Sequence, residues 1–170
     1  MIFVGIGSNL NSSFGDRFKN INFALSFLES YQINIIKKSN FYETPSYPNN
    51  KDPKFINMII NISTKLTPQK LASSIINTEE KLERKRNKKN EPRTCDIDII
   101  DYKGLVIDFN YKDLIFNVPH QKLINRNFVL YPINEILPNW THPQTKEKIS
   151  DLIAKLPELD RNSILKVKKN

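Results

Sequence analysis

The order of strand-like and helix-like segments constrains the fold of this chain more than any other feature of its sequence. Apolar residues alternate where a strand is predicted and recur every three to four positions where a helix is predicted. The resulting order is strand 2–8, helix 14–28, strand 33–43, strand 55–66, helix 67–82 and a strand from 96. This β-α-β-β-α-β order predicts an α+β protein, a ferredoxin-like α/β sandwich with a mainly antiparallel sheet. A Rossmann sheet is the less favoured alternative.

The segments outside this order are predicted to be loops and added helices. Residues 45–53 are dense in Pro and Asn and predict a loop, and a hairpin is expected to turn near residues 103–104. Additional C-terminal helices are expected around 121–136 and 149–156. A length of 170 residues, of which 39% are hydrophobic and 26% charged, predicts a single globular domain over residues 1–170.

The single cysteine and the first residues bear on the cellular compartment. Cys95 has no partner for an internal disulfide and is interpreted as a core residue, which fits a reducing environment. The first ten residues have no basic leader and only a short apolar run, which argues against a signal peptide or a membrane span. We therefore expect a cytoplasmic protein that does not bind a membrane.

An excess of basic residues indicates an anionic partner. The formal net charge is +8, and residues 81–93 are rich in Lys and Arg, although a solvated helix end is the alternative interpretation of that segment. Gly5 and Gly7 follow a strand, as in dinucleotide-binding folds, but no third glycine is in register. A closely packed strand-to-helix turn is the favoured interpretation. Since the chain has no Walker A sequence, a triphosphate would be held by metal ions and side chains such as arginine.

Two carboxylates interrupt the apolar segment PRTCDIDIIDY at residues 92–102. In a strand, Asp96 and Asp98 project from one face while Ile97 and Ile99 project from the other. A buried carboxylate is costly unless it is paired or coordinated. Magnesium binds carboxylates together with substrate phosphates and water, so the pair is a candidate magnesium site. A solvated strand face is the alternative.

Four short segments give the chain a resemblance to a known family. They are GSNL near the start, FYETP followed by FIN, an R-x-R block leading into PRTCDIDI, and VPH followed by NRNFVLYP. In this order they resemble the motifs of the 6-hydroxymethyl-7,8-dihydropterin pyrophosphokinase family of folate biosynthesis. The resemblance spans nearly the whole chain. It implies a ferredoxin-like fold and transfer of pyrophosphate from ATP to the hydroxymethyl group of the dihydropterin, with release of AMP.

The resemblance assigns roles to residues on the nucleotide side. Asp96 and Asp98 match positions that hold two Mg²⁺ ions, and Arg84 and Arg93 match catalytic arginines that bind the phosphates. The matched positions that bind ATP are Glu79, Arg86, Ile99, His120 and Arg126. Without the resemblance, each arginine is more simply a surface residue.

The resemblance also assigns a pterin site. Phe55 and Phe128 match two aromatic residues that enclose the flat ring, and Asn57 matches a residue that hydrogen-bonds its edge. The matched residues of the neighbouring loop are Thr44, Pro45 and Tyr47. Taken singly, each aromatic residue would be interpreted as part of the core.

The basic segment departs from the family pattern. Glu91 stands where a glycine is usual, the loop is one residue shorter, and Gln121 replaces a residue that is often aromatic. Residues 84–92 are predicted to form a lid that is mobile without substrates and ordered when ATP and pterin are both bound. Glu91 is expected to make this closure less favourable.

Two functions from other classes are considered. A basic ferredoxin-like domain could bind RNA, but the sequence has no RNP-type aromatic motif. A metal-dependent nuclease would need a third acidic ligand and a catalytic lysine after the carboxylates, and no convincing candidates are found. We therefore expect small-molecule substrates, no nucleic acid, and a monomer, because no heptad or apolar stripe indicates a partner chain.

Overall fold

A computed structural model describes residues 1–88 and 90–167 and shows an antiparallel sheet with helices on both faces. The strands are β1 (Ile2–Ser8), β2 (Asn34–Lys38), β3 (Phe41–Thr44), β4 (Phe55–Ser63), β5 (Asp96–Tyr102), β6 (Ile107–Tyr111), β7 (Leu114–Val118) and β8 (Leu165–Val167). The helices are α1 (Arg17–Glu29), α2 (Pro68–Lys81), α3 (Asn127–Ile136), α4 (Ile149–Lys155) and α5 (Glu158–Asn162), with a 3-10 turn at Leu123–Asn125. In the described segments, no helix has the length and apolar character needed to cross a membrane.

The main sheet has the strand order β5-β1-β4-β3-β8, and every pairing in it is antiparallel. β2 pairs with the remaining part of β4, so β2 and β3 take the place of the single strand predicted over 33–43. Ser39 connects them, because its main-chain N–H donates to Ile59 O and its hydroxyl accepts from Ile59 N. This β-α-β-β-α-β arrangement confirms the ferredoxin-like fold.

Side-chain caps begin both helices of this arrangement. Asp16 and Thr67 each accept a hydrogen bond from the main-chain N–H three residues later, which satisfies a free donor of the first turn. Pro68 occupies the first helical position, where no helical hydrogen bond is lost. The predicted start of α2 is therefore confirmed, whereas α1 begins at Arg17 rather than near Phe14.

The two faces of the sheet have separate cores. α1 and α2 cover one face, where the buried residues include Ile21, Leu71 and Ile97. α3 and α4, which confirm the helices expected after the ferredoxin-like core, cover part of the opposite face with residues such as Phe3 and Leu130. The rest of that second face borders a cavity between the sheet and the start of α3.

The prediction that β5 forms a hairpin with the strand that follows it is wrong. The chain does turn at Lys103 and Gly104, which both have positive φ, but β6 pairs with β7 and not with β5. Residues 112–113 form the tight turn between β6 and β7. Phe109 and Phe116 stack across this pair with ring centroids 5.2 Å apart, which supports a small second sheet.

Gly5 and Gly7 lie inside β1, so the predicted strand-to-helix turn at these residues is wrong. The close packing that was expected is present. A Cβ on Gly7 would lie 3.1 Å from Oδ1 of Asn57, and one on Gly5 would lie 3.2 Å from Cδ1 of Ile59. The two glycines therefore let the side chains of β4 lie directly over β1.

Candidate active site

Asp96 and Asp98 lie on the face of β5 that is turned away from α1 and α2, and they border a cavity of about 610 Å³. Ile97 and Ile99 are buried in the core beneath α1 and α2, as strand alternation predicts. A nucleotide could therefore contact Ile99 through its main chain, at the outer edge of β5, but not through its side chain.

The cavity brings together most of the predicted site residues from separate parts of the chain. Those that line it are Thr44, Pro45, Tyr47, Phe55, Asn57, Arg93, Asp96, Asp98, Arg126 and Phe128. Those outside its lining are Glu79, Arg84, Arg86, Ile99 and His120. The predicted pterin residues thus share one cavity with the two aspartates, while five of the predicted nucleotide-side residues lie outside the lining of this cavity.

Each aspartate forms an ion pair with a predicted phosphate-binding arginine. Nη2 of Arg93 lies 2.5 Å from Oδ2 of Asp96, and Nη2 of Arg84 lies 3.4 Å from Oδ1 of the same carboxylate. Nη1 of Arg126 lies 3.3 Å from Oδ2 of Asp98. These pairs balance two carboxylates that would otherwise repel each other.

Arg93 and Arg126 also lie over the two predicted pterin-binding rings. Cζ of Arg93 is 4.8 Å from the ring centroid of Phe55, and Cζ of Arg126 is 5.4 Å from that of Phe128. A planar guanidinium is attracted to the negative face of an aromatic ring. Each arginine therefore connects one aspartate to one ring, and a flat ligand stacking on the same ring face would displace it.

Several polar atoms near the aspartates are buried without a partner. Within residues 1–88 and 90–167, the Nε atoms of Arg84 and Arg93 and the hydroxyl of Thr94 have no hydrogen-bond partner. Burial lowers the pKa of Arg84, and the nearby carboxylate of Asp96 opposes this shift. The arginine stays protonated at neutral pH. Because unpaired buried donors are costly, a ligand rich in anionic oxygen atoms would stabilise this group of residues.

His120 lies beside the aspartates as a neutral base. Burial lowers the pKa of His120, with Asp98 opposing the shift and Arg126 adding to it, so the ring is uncharged at pH 7. The 3.9 Å between its Nε2 and Oδ2 of Asp98 is therefore not an ion pair at neutral pH. Nδ1 accepts a hydrogen bond from Lys122 N at 3.1 Å, so the proton of the neutral ring lies on Nε2, which is 3.4 Å from Nη1 of Arg126. His120 also lines a second cavity of about 330 Å³.

Glu79 and Arg86 form a pair beside the edge strand β5. One carboxylate oxygen of Glu79 accepts from Ile97 N at 2.8 Å, and the other pairs with Arg86. The Glu79 side chain is 2% exposed. Burial raises the pKa of Glu79 to about 7, with Asp96 adding to the shift and Arg86 opposing it. This pair attaches the basic segment to the sheet outside the cavity.

The raised pKa of Glu79 predicts a pH-dependent stability. The ordinary value is 4.5, so between about pH 4.5 and 7 the folded chain holds a proton that the unfolded chain releases, and it loses stability as the pH rises. Glu79→Gln removes this titration. The melting temperature of the variant minus that of the parent should therefore increase from about pH 5 to about pH 8.

Thermal unfolding followed by circular dichroism measures this difference. Glu80→Gln is the matched control, because the neighbouring Glu80 side chain is 53% exposed and pairs with Lys112 at the surface. From about pH 5 to about pH 8, this variant should not show the increase in melting temperature relative to the parent that is expected of Glu79→Gln. If the melting temperature of Glu79→Gln minus that of the parent stayed constant from about pH 5 to about pH 8, the raised pKa of Glu79 would be contradicted.

Asn57 is held in place at the bottom of the cavity. Its Nδ2 donates to Oγ1 of Thr44 at 3.0 Å and to the main-chain oxygen of Tyr42 at 3.3 Å, and the residue is 6% exposed. These bonds use both amide hydrogens, which leaves the carboxamide oxygen as the group that could accept a hydrogen bond from a ligand.

Hydrogen bonds and ion pairs hold three residues of the predicted lid, Arg84, Arg86 and Glu91, in the structure. Arg84 is fixed at the base of the segment, since its side chain is 11% exposed and donates to Cys95 O at 3.1 Å. Arg86 is held by Glu79. Oε1 of Glu91 accepts from Asn87 N at 2.8 Å and closes a turn. Lys89 lies outside the described residues. Closure of residues 84–92 over bound substrates therefore stays a prediction.

Sequence reasoning missed Asn9, which connects the two sides of the site. Its Oδ1 accepts from Arg93 N at 2.6 Å, while its Nδ2 donates to Pro53 O at 3.0 Å and to Ser46 Oγ at 3.2 Å. The residue is 2% exposed. The available signal was a polar residue placed directly after a buried strand. The lining residues among 159–163 were missed as well.

The side chains present suit a magnesium ion that arrives with a nucleotide. In residues 1–88 and 90–167, no group of three or more His, Cys, Asp or Glu side chains is placed to hold a metal ion. Asp96 and Asp98 supply two carboxylates on one face of β5. Because Mg²⁺ is commonly bound by one or two carboxylates together with substrate phosphates, the pair fits this ion.

One family model matches residues 3–138, that of 7,8-dihydro-6-hydroxymethylpterin-pyrophosphokinase (HPPK). The chain belongs to the HPPK family. The match confirms the resemblance carried by the four sequence motifs, and with it an ATP-dependent diphosphotransferase of folate biosynthesis. Every predicted site residue, from Thr44 to Phe128, lies inside the part that matches HPPK.

Named relatives and a solved structure agree with membership of the HPPK family. The 2-amino-4-hydroxy-6-hydroxymethyldihydropteridine pyrophosphokinase of Aquifex aeolicus is 35% identical over 150 residues, which are 88% of each chain. The bifunctional protein FolKE of Lactococcus lactis is 38% identical over 160 residues, which are 94% of this chain and 43% of that protein. The crystal structure of a Plasmodium falciparum HPPK-DHPS triple mutant has a TM-score of 0.74 at 13% identity, covering 99% of this chain and 46% of that one. The structural likeness shows the HPPK fold.

Proposed function

We propose that this chain transfers pyrophosphate from ATP to 6-hydroxymethyl-7,8-dihydropterin. The hydroxyl oxygen of the pterin forms a bond to the β-phosphorus, and the bond from that phosphorus to the oxygen shared with the α-phosphate breaks. AMP leaves, the pyrophosphate stays on the hydroxymethyl group, and the hydroxyl proton is released to water. Family membership supports this reaction, since the family is named for it.

The proposal rests above all on one arrangement, the shared cavity. Phe55, Phe128 and Asn57 lie in the same cavity as Asp96 and Asp98. Flat heteroaromatic rings stack on aromatic faces, and carboxylates suit the metal ions that accompany a triphosphate. A pterin and the phosphates of ATP would therefore be held close together in one cavity, which favours transfer between them.

The arginines would bind and orient the phosphates. Arg84 and Arg93 each have a buried Nε that lacks a partner among the described residues, and both pair with Asp96. A phosphate oxygen is a strong acceptor for such donors. Arg126, which pairs with Asp98, would act on the other side, and neutral His120 would donate a hydrogen bond from Nε2 to a phosphate oxygen without adding charge.

We infer two Mg²⁺ ions at Asp96 and Asp98, because these residues match the two-ion positions of the family pattern. When bound, Mg²⁺ neutralises charge on the phosphate oxygens. Glu79, Arg86 and the main chain of Ile99 would complete the nucleotide side along the outer edge of β5. Thr44, Pro45 and Tyr47 would complete the pterin side.

The products of a single incubation test the proposed function. Protein, ATP, Mg²⁺ and 6-hydroxymethyl-7,8-dihydropterin are mixed, and the nucleotides are separated by chromatography. The expected product is AMP, in an amount equal to the pterin pyrophosphate formed. ADP as the sole nucleotide product would indicate an ordinary kinase and would overturn the proposal.

Phe128→Ala should weaken pterin binding more than ATP binding. Stacking on an aromatic ring contributes about 0.5 to 1.5 kcal/mol beyond area burial, so the pterin Kd should rise at least about threefold while the Kd of an ATP analogue stays within about twofold. Isothermal titration calorimetry measures both. Phe23→Ala is the control, since Phe23 is 39% exposed and lies outside the cavity. Equal losses for the two ligands would indicate a packing defect instead.

We further infer that residues 1–170 form a single pyrophosphokinase domain that acts as a cytoplasmic monomer. The two helical layers pack on one sheet, which supports a single domain. The thiol of Cys95 is fully buried, and burial raises its pKa well above the usual range, which suits an inert core residue in a reducing compartment.

A further inference from the structure

The C-terminal segment 158–163 borders the same cavity as the predicted pterin-binding rings. Leu159, Asp160 and Ser163 are among the lining residues, together with Phe55 and Phe128. This segment lies outside residues 3–138, the part of the chain that matches the family model. Part of the cavity lining therefore comes from residues that lie outside the family match.

Asn127 fixes this segment next to the ring of Phe128. Its Nδ2 donates to Asp160 O at 2.5 Å and to Ser163 Oγ at 3.0 Å, and Ser163 Oγ donates to Asp160 O at 2.9 Å. Asn127 is 7% exposed, so its amide group lies mostly out of contact with water. Since Asn127 directly precedes Phe128, the segment and the ring are held by neighbouring residues of α3.

A strand pairing fixes the other end of the segment. β8 follows it directly and pairs with β3, with Leu165 opposite Glu43. β3 leads into Thr44 and Pro45, which line the cavity. The segment is therefore attached both to α3 and to the strand that leads into the predicted pterin loop.

Leu159 is 85% exposed although it lines the cavity. A single exposed leucine is ordinary on a protein surface, so its exposure alone indicates nothing. The position of Leu159 is informative, because Tyr47, which is 84% exposed, lines the same cavity from the loop after β3. Two large apolar side chains at one cavity would lose their contact with water when a flat, weakly polar ligand fills it.

We propose that Leu159 is a substrate-binding residue that covers the dihydropterin ring, and that Asn127 is the positioning residue that holds it there. This inference rests on the proposed function and adds a wall to its pterin site. The apolar cover favours a flat heteroaromatic ring over a ligand that carries a charged group on the same edge. In this proposal Leu159 contacts the pterin and makes no contact with ATP.

The test compares Leu159→Ala with Leu165→Ala. Leu165 is 57% exposed in β8 and does not line the cavity, so it is a matched leucine control. With a non-hydrolysable ATP analogue and Mg²⁺ present, Leu159→Ala should raise the pterin Kd about three- to tenfold, since part of a leucine contact is lost. The Kd of the analogue and the melting temperature should match those of the parent, and Leu165→Ala should change none of these quantities. A pterin Kd within 1.5-fold of the parent for Leu159→Ala, or an equal loss for Leu165→Ala, would overturn the proposal.

Asn127→Ala tests the positioning role by a separate measurement. Amides of residues 158–163 should exchange hydrogen faster in this variant than in the parent, and its pterin Kd should rise about as much as in Leu159→Ala. Unchanged exchange at these amides would refute the role of Asn127. Failure of the parent to form AMP would contradict the proposed function, whereas an active parent with an indifferent Leu159→Ala would contradict this inference alone.

Discussion

Replacing Asp98 with Asn should lower turnover at least about a hundredfold while the melting temperature stays close to that of the parent. Asn keeps the volume of the side chain but removes the charge that attracts Mg²⁺. The Asp98 side chain is 39% exposed and pairs with Arg126 at 3.3 Å, so the fold depends little on it. AMP formation at saturating ATP and Mg²⁺ measures turnover. A rate within threefold of the parent would remove Asp98 from the site.

Asp96→Asn should cause a similar loss of turnover together with a lower melting temperature. The Asp96 carboxylate pairs with both Arg84 and Arg93, whose side chains are 11% and 19% exposed, so losing it leaves two cations facing each other. Asp101 of the same strand supplies a control. It is 4% exposed and accepts from Trp140 Nε1 at 3.1 Å and Gly104 N at 2.9 Å. Asp101→Asn should lower the melting temperature but keep turnover within about twofold, because it supports the fold and lies outside the cavity.

Arg93→Lys should lower turnover about a hundredfold while the Kd of an ATP analogue changes less than about fivefold. The guanidinium lies over Phe55 and pairs with Asp96, a geometry that an ammonium group cannot reproduce. The positive charge remains, so the general attraction for ATP remains. Steady-state kinetics and calorimetry separate the two effects.

Arg17→Lys is the matched control for this substitution. Arg17 donates to Lys54 O at 2.5 Å and lies 3.6 Å from Glu43, but it does not line the cavity. Its turnover should equal that of the parent. If Arg93→Lys also retained full turnover, the planar guanidinium would have no role in the reaction and the assignment of Arg93 would be wrong.

The main sheet could be predicted because its strands and helices have strong periodic patterns and conventional caps. Strand β8 and helix α5 could not, since they have only three and five residues and are held by distant partners. β8 forms because β3 offers an open edge, which no local pattern reveals. The β6–β7 hairpin did have a signal, because apolar residues flank the two-residue turn at 112–113.

Alternation along a strand was enough to predict that Asp96 and Asp98 share a face. The partners of each aspartate were beyond sequence reasoning, because Arg93 and Arg126 reach them from a loop and from the start of α3. Glu79 shows the same limit. The family resemblance assigns it to the nucleotide site, and its carboxylate also accepts a hydrogen bond from the main-chain N–H of Ile97, a contact that depends on how α2 packs on β5.

The two guanidinium groups that rest on Phe55 and Phe128 have a consequence for inhibitor design. Fragments screened against the free enzyme meet ring faces that are already covered, so a small flat compound must first expel an arginine. A compound that joins a flat neutral head to an anionic arm gives the displaced guanidinium a new partner, whereas a flat cation offers it none. The volume that such a compound can fill is then larger than the 610 Å³ cavity of the free chain, because the arginines leave part of their own space to it.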